Sequence, residues 1–150
     1  MDVAYVPTPK DLVRKMLRVA GVRRGETVFD LGAGDGRILI EAVRGFGARA
    51  VGVEMDPERL ARIQERLTAT GTEATVLAGD LMRVDLSSAD VVTIYLSESV
   101  NAKLAEKLRN ELKPGARIIS LDYVLPGWAS ERDLTVGSGG ITRKLYLYRA

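Results

Sequence analysis

Between Val28 and Arg37 the chain runs from apolar residues into an acid and then through three glycines at alternate positions: Val28-Phe29-Asp30-Leu31-Gly32-Ala33-Gly34-Asp35-Gly36-Arg37. Few local structures satisfy such a stretch. A strand ends near Leu31, the glycines let the backbone turn sharply and come close to a ligand, and the helix that follows presents unpaired N–H groups at its start. Val51-Gly52-Val53-Glu54 is a second apolar strand ending in an acid, 24 positions beyond Asp30. That spacing matches the ribose-binding acid of dinucleotide-binding and related folds. Together the two strands point to a nucleotide cofactor.

Composition narrows the chemistry. The 150 residues, 46% of them apolar and 28% charged, suit one domain with its own core. No apolar run approaches the ~20 residues that span a bilayer. The start, Met1-Asp2-Val3-Ala4, lacks a basic segment followed by an apolar one, so a cytoplasmic address is expected. With neither cysteine nor histidine, disulfides, thiolate nucleophiles, Cys/His metal sites and histidine bases are all excluded. Carboxylates, Tyr, Ser/Thr, Lys or a cofactor must do the work, and no metal is expected. A net charge of +2 is too small to argue for nucleic acid, and Arg23-Arg24 fits an ion-paired surface. Abundant Arg and Glu beside scarce Asn and Gln suit heat adaptation.

Strand-like and helix-like segments alternate, the pattern of a parallel sheet covered by helices. Thr8-Pro9-Lys10-Asp11 predicts a helix capped by Thr8, with Leu12, Val13, Met16 and Leu17 on one face. Strands are expected over about 27–31, 49–54, 74–78, 90–96 and 116–121. One helix carries Ile38, Leu39, Ala42 and Val43 and stops near Gly45-Phe46-Gly47. A second is capped by Asp56-Pro57, turns Leu60, Ile63 and Leu67 inward and ends near Gly71. Val100, Leu104, Leu108 and Leu112 mark a third, closed by Lys113-Pro114-Gly115. Two tail strands, Leu134 to Val136 and Arg143 to Tyr148, flank Gly137-Ser138-Gly139-Gly140, which signals a hairpin.

In an open α/β sheet, ligands bind beyond the carboxyl ends of the strands at the switch in strand order. Asp30 to Gly36, Glu54, Gly79-Asp80-Leu81, Tyr95-Leu96 and Asp122-Tyr123 fall there. Gly32 and Gly34 let the backbone approach a ligand. Glu54 can accept both hydrogen bonds of a ribose diol. Asp80 can accept from the exocyclic amine of adenine or cap a short turn, while Leu81 offers a backbone N–H and an apolar face. Tyr95 either covers the core or faces the ligand.

These motifs, with Leu112-Lys113-Pro114-Gly115 before the fifth strand, resemble those of class I S-adenosylmethionine-dependent methyltransferases over nearly the whole chain. The resemblance implies a Rossmann-like α/β fold: a mostly parallel seven-stranded sheet, helices on both faces and a C-terminal antiparallel hairpin. A nicotinamide-binding domain normally has G-x-G-x-x-G, whereas Gly36 comes one residue early. A narrower resemblance rests on Tyr5-Val6-Pro7-Thr8-Pro9, Asp35-Gly36-Arg37-Ile38 and Tyr95-Leu96-Ser97. It is to the small archaeal protein-lysine methyltransferases and their mitochondrial relatives that methylate a lysine of the ATP synthase c subunit.

That likeness implies S-adenosyl-L-methionine as cofactor and site roles to match. A segment over about residues 1–20 would cover the cofactor, with Tyr5 and Thr8 near its methionine end. Asp30 and Gly32 would hold the amino-acid end, Glu54 the ribose, and Asp80 with Leu81 the adenine, with Gly34, Gly36, Met55 and Tyr95 also against the cofactor. Tyr95 would orient the acceptor amine, Asp122 and Tyr123 would flank its channel, and Trp128 fits either the rim or the core. The sulfonium is already an activated methyl donor, so in-line alignment and exclusion of water are the protein's tasks. With nearly all of the chain consumed by sheet and helices, no insertion is large enough to enclose a small metabolite. An open site suits lysines on protein substrates. The expected enzyme is a monomer without membrane or nucleic-acid partners, since no basic track is evident in the sequence. RNA or small-molecule methylation and non-catalytic cofactor binding are the alternatives. No Asn-Pro-Pro-Tyr type motif replaces Ile94-Tyr95-Leu96-Ser97, which argues against a base-amine methylase.

Overall fold

A computed structural model describes residues 8–150. Five parallel strands and an antiparallel hairpin form one seven-stranded sheet, in the order β3-β2-β1-β4-β5-β7-β6. The parallel strands are β1 (Thr27–Leu31), β2 (Arg49–Glu54), β3 (Thr75–Ala78), β4 (Val91–Ile94) and β5 (Arg117–Leu121). The hairpin is β6 (Arg132–Ser138) and β7 (Ile141–Arg149), and the helices are α1 (Lys10–Val19), α2 (Arg37–Phe46), α3 (Pro57–Thr70) and α4 (Glu98–Glu111). This is the Rossmann-like arrangement that the motifs imply.

Alternation along the buried strands divides the interior into two layers. Val28, Val91 and Ile119 pack beneath α1, α2 and α3, with Leu12, Leu17, Leu39 and Ile63. Phe29, Val92 and Ile118 face the other way, onto Leu104 and Leu108 of α4 and the buried Tyr148. Each fully buried Leu, Ile or Val contributes roughly 1.5–3 kcal/mol, so these layers supply most of the driving force. Helix α2 lies close against β2 because position 52 is glycine. A Cβ there would stand 2.6 Å from Leu39 Cδ1 and 3.0 Å from Ala33 Cβ.

Several local expectations need correction. Thr8 does not cap α1: Pro9 occupies the cap position with no side-chain bond, and the Thr8 carbonyl instead accepts from Arg37 Nη1 at 2.8 Å. Strand β4 is shorter than the apolar run, covering only Val91–Ile94. Just before it stands Asp90, whose amide donates to the Thr27 carbonyl at 2.9 Å and whose carbonyl accepts from the Arg117 amide at 3.0 Å. The Asp90 carboxylate accepts from the Thr27 amide at 2.8 Å and pairs with Lys113 at 2.7 Å. The hairpin strands are longer than expected and the turn is only Gly139-Gly140, at φ +58° and +79°, with Ser138 paired to Ile141. Two positive φ values define the turn whose twist matches paired strands. Asp56 does cap α3, accepting from the Arg59 amide at 2.9 Å.

The tail of α1 is tied to β5 by Arg117. Its guanidinium donates to the Ala20 and Gly21 carbonyls, both at 3.0 Å, and to both oxygens of Glu26 at 2.7 and 2.9 Å. The fork thus answers open carbonyls after the helix and a carboxylate at once.

Candidate active site

Parallel register brings the strand ends to one edge. Leu31 pairs with Val53 on one side and Ile94 on the other, Glu54 pairs with Ala78, and Ile94 pairs with Ser120. Whatever follows each strand therefore gathers there: Gly32 to Gly36, Met55, Gly79 to Leu81, Tyr95 and Asp122. The strand order reverses between β1 and β4, which sets the crevice directly beyond Asp30.

The glycine turn is shaped by backbone conformation. Gly32, Gly34 and Gly36 adopt φ of +81°, +63° and +83°, a region that costs other residues roughly 1–2 kcal/mol each. The Gly32 and Ala33 amides donate to the Val53 carbonyl at 2.9 and 3.0 Å. Glu54 holds the turn from the neighbouring strand: Oε1 accepts from the Gly34 amide at 3.0 Å, and Oε2 accepts from the Met55 and Asp56 amides, each at 3.1 Å. The carboxylate is buried and oriented, and of its roughly four lone-pair directions three are met by backbone. Met55 stands on the open rim, 63% exposed.

Asp30 lies at the base of the crevice, 3% exposed. Its one hydrogen-bond donor among the described residues is Thr93, whose hydroxyl reaches Oδ1 at 2.7 Å. Burial pushes its pKa up to about 7 against that bond, and the nearby Glu54 and Asp35 carboxylates push it the same way. Asp35 is answered by Arg37, which contacts it through Nε at 3.0 Å and Nη2 at 2.6 Å. The burial that opposes its charge is outweighed by Arg37, so the Asp35 pKa is lowered. Asp30 and Glu54, by contrast, lie at the switch point with no cation paired to either among the described residues. Buried negative charge left this way fits a ligand that carries positive charge and hydroxyl donors.

Along the edge toward β3, Asp80 forms the short turn that was one of its two expected roles. Oδ1 accepts from the Met82 amide and the backbone carbonyl from the Arg83 amide, both at 2.9 Å. Its Oδ2 has no partner among the described residues. Leu81 is partly buried beside it.

Toward β5 the edge is aromatic. The rings of Tyr95 and Tyr123 stack with centroids 6.2 Å apart at 19°, and the Arg143 guanidinium lies over the Tyr95 ring at 5.4 Å. Asp122 anchors that cation, accepting from Arg143 Nε at 2.9 Å and Nη2 at 2.8 Å, and from the Lys144 amide at 3.1 Å. Among described residues other than glycine, Asp122 alone has positive φ, +66°, a conformation Asp tolerates when its side chain bonds locally. Burial raises the Tyr95 hydroxyl pKa against the opposing Arg143 charge, so the phenol stays neutral at physiological pH.

Thr8 is buried, and Tyr5 lies outside the described residues. Trp128 belongs to the core: its Nε1 donates to the Ala105 carbonyl at 3.0 Å, and its ring meets Tyr148 edge-on. Sequence reasoning missed Thr93, Arg143 and Asn101. Thr93 had a signal, a lone hydroxyl in the apolar run 91–94. Asn101 Nδ2 donates to the Tyr123 and Val124 carbonyls at 3.3 and 3.0 Å and fixes the Asp122 loop from α4. Neither it nor Arg143 had a local signal.

Comparison with known proteins places this architecture. The ANTKMT methyltransferase domain matches residues 30–132. A protein-lysine N-methyltransferase of Saccharolobus islandicus is 41% identical, over 97% of this chain and 92% of that protein. The adenine nucleotide translocase lysine N-methyltransferase of Mus musculus is 34% identical over 85% of this chain. The chain spans only 56% of the length of that mammalian relative. A solved RNA methyltransferase from Salinibacter ruber, in complex with S-adenosyl-L-homocysteine, shares 40% identity with a TM-score of 0.89, over 96% of this chain and 93% of that one. On a match that runs from Asp30 through the five parallel strands, and on this sheet order, the chain belongs to the ANTKMT methyltransferase family.

Proposed function

We propose that this chain is an S-adenosylmethionine-dependent protein-lysine N-methyltransferase. The observation that carries the reading is the pair of buried acids at the switch point, Asp30 and Glu54, facing a crevice that a cationic, hydroxyl-bearing cofactor would complete. The 41% identity to the archaeal lysine methyltransferase supports the acceptor.

When bound, the sulfonium supplies an activated methyl group. Asp30 and the turn through Gly32, Gly34 and Gly36 hold the amino-acid end. Glu54 accepts from the ribose, with Met55 at its rim, and Asp80 Oδ2 and Leu81 receive the adenine. The segment before α1 covers the cofactor, with Tyr5 and Thr8 near its methionine end. This cover is shorter than the one expected over residues 1–20, because α1 packs into the core and its end is tied to Arg117 at the amino end of β5. Arg37 supports that cover by holding the Thr8 carbonyl and Asp35 together.

A lysine amine has an ordinary pKa near about 10.4 and must shed its proton to attack. Desolvation against the Tyr95 and Tyr123 rings disfavours the ammonium, and the Arg143 cation adds to that bias. Tyr95 then orients the neutral amine in line with the methyl group. Asp122 shapes the channel by holding Arg143 in place. This monomeric enzyme works in the cytoplasm on proteins with exposed lysines. No described helix is long and apolar enough to cross a membrane.

RNA is the second reading, favoured by the name of the Salinibacter ruber relative. One experiment separates them: labelled methyl from S-adenosylmethionine is offered to a heat-treated extract, which is split into protein, RNA and small-molecule fractions. Label on lysine is the expected outcome. Label confined to RNA or metabolites overturns the lysine assignment, and tight cofactor binding without transfer overturns the enzyme.

A further inference from the structure

Away from the strand ends, the outer surfaces of α1, α2 and α3 enclose a groove of about 450 Å³. Five cationic residues line it: Lys10 and Arg14 from α1, Arg37 and Arg44 from α2, and Arg66 from α3. The chain scatters them over 57 positions, and only helix packing makes them neighbours. Glu41 is the one acid among the described lining residues, and it is already answered by Arg14 Nε at 2.5 Å. Glu41 lies close against Gly45: a Cβ at position 45 would stand 2.7 Å from Glu41 Oε1. The floor also contains apolar groups, the buried Val13 and half-buried Ile40.

We infer that this groove is a docking surface for an acidic segment of the protein substrate, remote in sequence from the lysine that is methylated. Excess positive charge around a concave surface concentrates anionic partners and steers their approach. An apolar floor between cationic rims suits a peptide that alternates acidic and aliphatic residues. It does not suit a nucleic-acid strand, which needs stacking surfaces for its bases, and none of the described lining residues is aromatic. The groove also communicates with the site. Arg37 lines one end while its other contacts run to Asp35 in the glycine turn and to the Thr8 carbonyl. A segment seated there leads the adjoining chain toward the crevice. The inference rests on the lysine-methylation reading for its partner, and on the geometry of the three helices for its place.

The test measures binding without methyl transfer. A fluorescein-labelled, lysine-free peptide of alternating Glu and Leu is titrated by anisotropy against the full chain and against Lys10→Glu/Arg44→Glu. A Gln-for-Glu peptide and a single-stranded RNA serve as competitors. The acidic peptide should bind the full chain at least tenfold more tightly than the neutral one, and charge reversal should weaken it at least tenfold. Lys10→Gln/Arg44→Gln, checked for folding by its thermal melt, should fall between the two. Lysine peptides with a distant acidic run should show a lower KM than neutral ones, an advantage lost in either variant. Equal binding of acidic and neutral peptides, or binding indifferent to both variants, overturns the proposal. RNA that displaces the acidic peptide and depends on Lys10 and Arg44 also overturns it, in favour of nucleic acid. Because anisotropy does not require turnover, an enzyme that labels no lysine yet binds the acidic peptide through these cations refutes the lysine assignment while supporting the groove.

Discussion

At Asp30, burial and function pull in opposite directions. An acid held near about 7 in the fold and near its ordinary 3.8 when unfolded binds more protons in the folded state between those values. Stability of the cofactor-free protein therefore falls as pH rises from about 4 to 7 and levels off above. Asp30→Asn removes that loss, so its melting temperature should exceed that of the parent at pH 8, with the gap closing toward pH 4. A parent that melts at the same temperature across that range contradicts the assignment. Positive charge arriving in the crevice should restore ionisation. Cofactor binding near pH 6.5 should thus release a proton, visible in calorimetry as a binding enthalpy that changes with the ionisation enthalpy of the buffer. Glu54 holds the glycine turn with its carboxylate, and the proposed function gives it the ribose as a second task. Glu54→Ala should weaken cofactor affinity by about 1–3 kcal/mol and lower the melting temperature as well. Unchanged affinity removes Glu54 from the site. Both acids were legible in the sequence because each ends an apolar strand. Thr93, which supplies the donor to Asp30, acquires that role only through the register of β4 against β1.

Three strands build the wall proposed to receive the acceptor: β4 delivers Tyr95, β5 delivers Asp122 and Tyr123, and β7 runs back to lay Arg143 over the Tyr95 ring. Because Tyr95 belongs to this wall rather than to the cofactor's acidic seat, Tyr95→Phe should leave cofactor affinity nearly intact while slowing transfer. Equal rates would make the hydroxyl irrelevant. Arg143→Gln should also lower kcat with cofactor affinity preserved, and should move the pH profile of kcat to higher pH, since a cation disfavouring the ammonium is gone. A loss of melting temperature with an unmoved profile assigns Arg143 to structure alone. Parallel strands were readable from continuous apolar runs, and α3 from Asp56-Pro57 and its heptad-like face. The hairpin turn was readable only in part. Gly137 looks like loop in the sequence, yet it pairs with Thr142, since pairing energy in a long antiparallel ladder outweighs the modest cost of a glycine in a strand.

On the scale of the whole molecule, contacts distant in sequence close the fold. Arg117 joins β5 to the end of α1 and to Glu26, with side chains only 10% and 20% exposed. Removing one partner of such a pair leaves the other charge poorly compensated. Arg117→Ala should therefore cost on the order of 3 kcal/mol in chemical denaturation at pH 7. Its hydrogen bonds hold Glu26 below the ordinary carboxylate value of 4.5. A depressed acid stabilises above its unfolded pKa and loses that contribution as pH falls, so the gap between parent and Arg117→Ala should narrow below about pH 4.5. A gap independent of pH would deny the pairing. The Lys/Arg groove belongs to this scale too, and it qualifies the expectation that no basic track exists. By itself the sequence determined the βα units, the glycine turn, the acids that end β1 and β2 and the absence of thiol or imidazole chemistry, because these depend on local periodicity, backbone freedom and residue type. Tertiary structure alone decided which cations converge, which hydroxyl meets Asp30 and which guanidinium covers Tyr95. Those contacts join residues tens of positions apart, and sheet register and helix packing, rather than local pattern, set which side chains share a space.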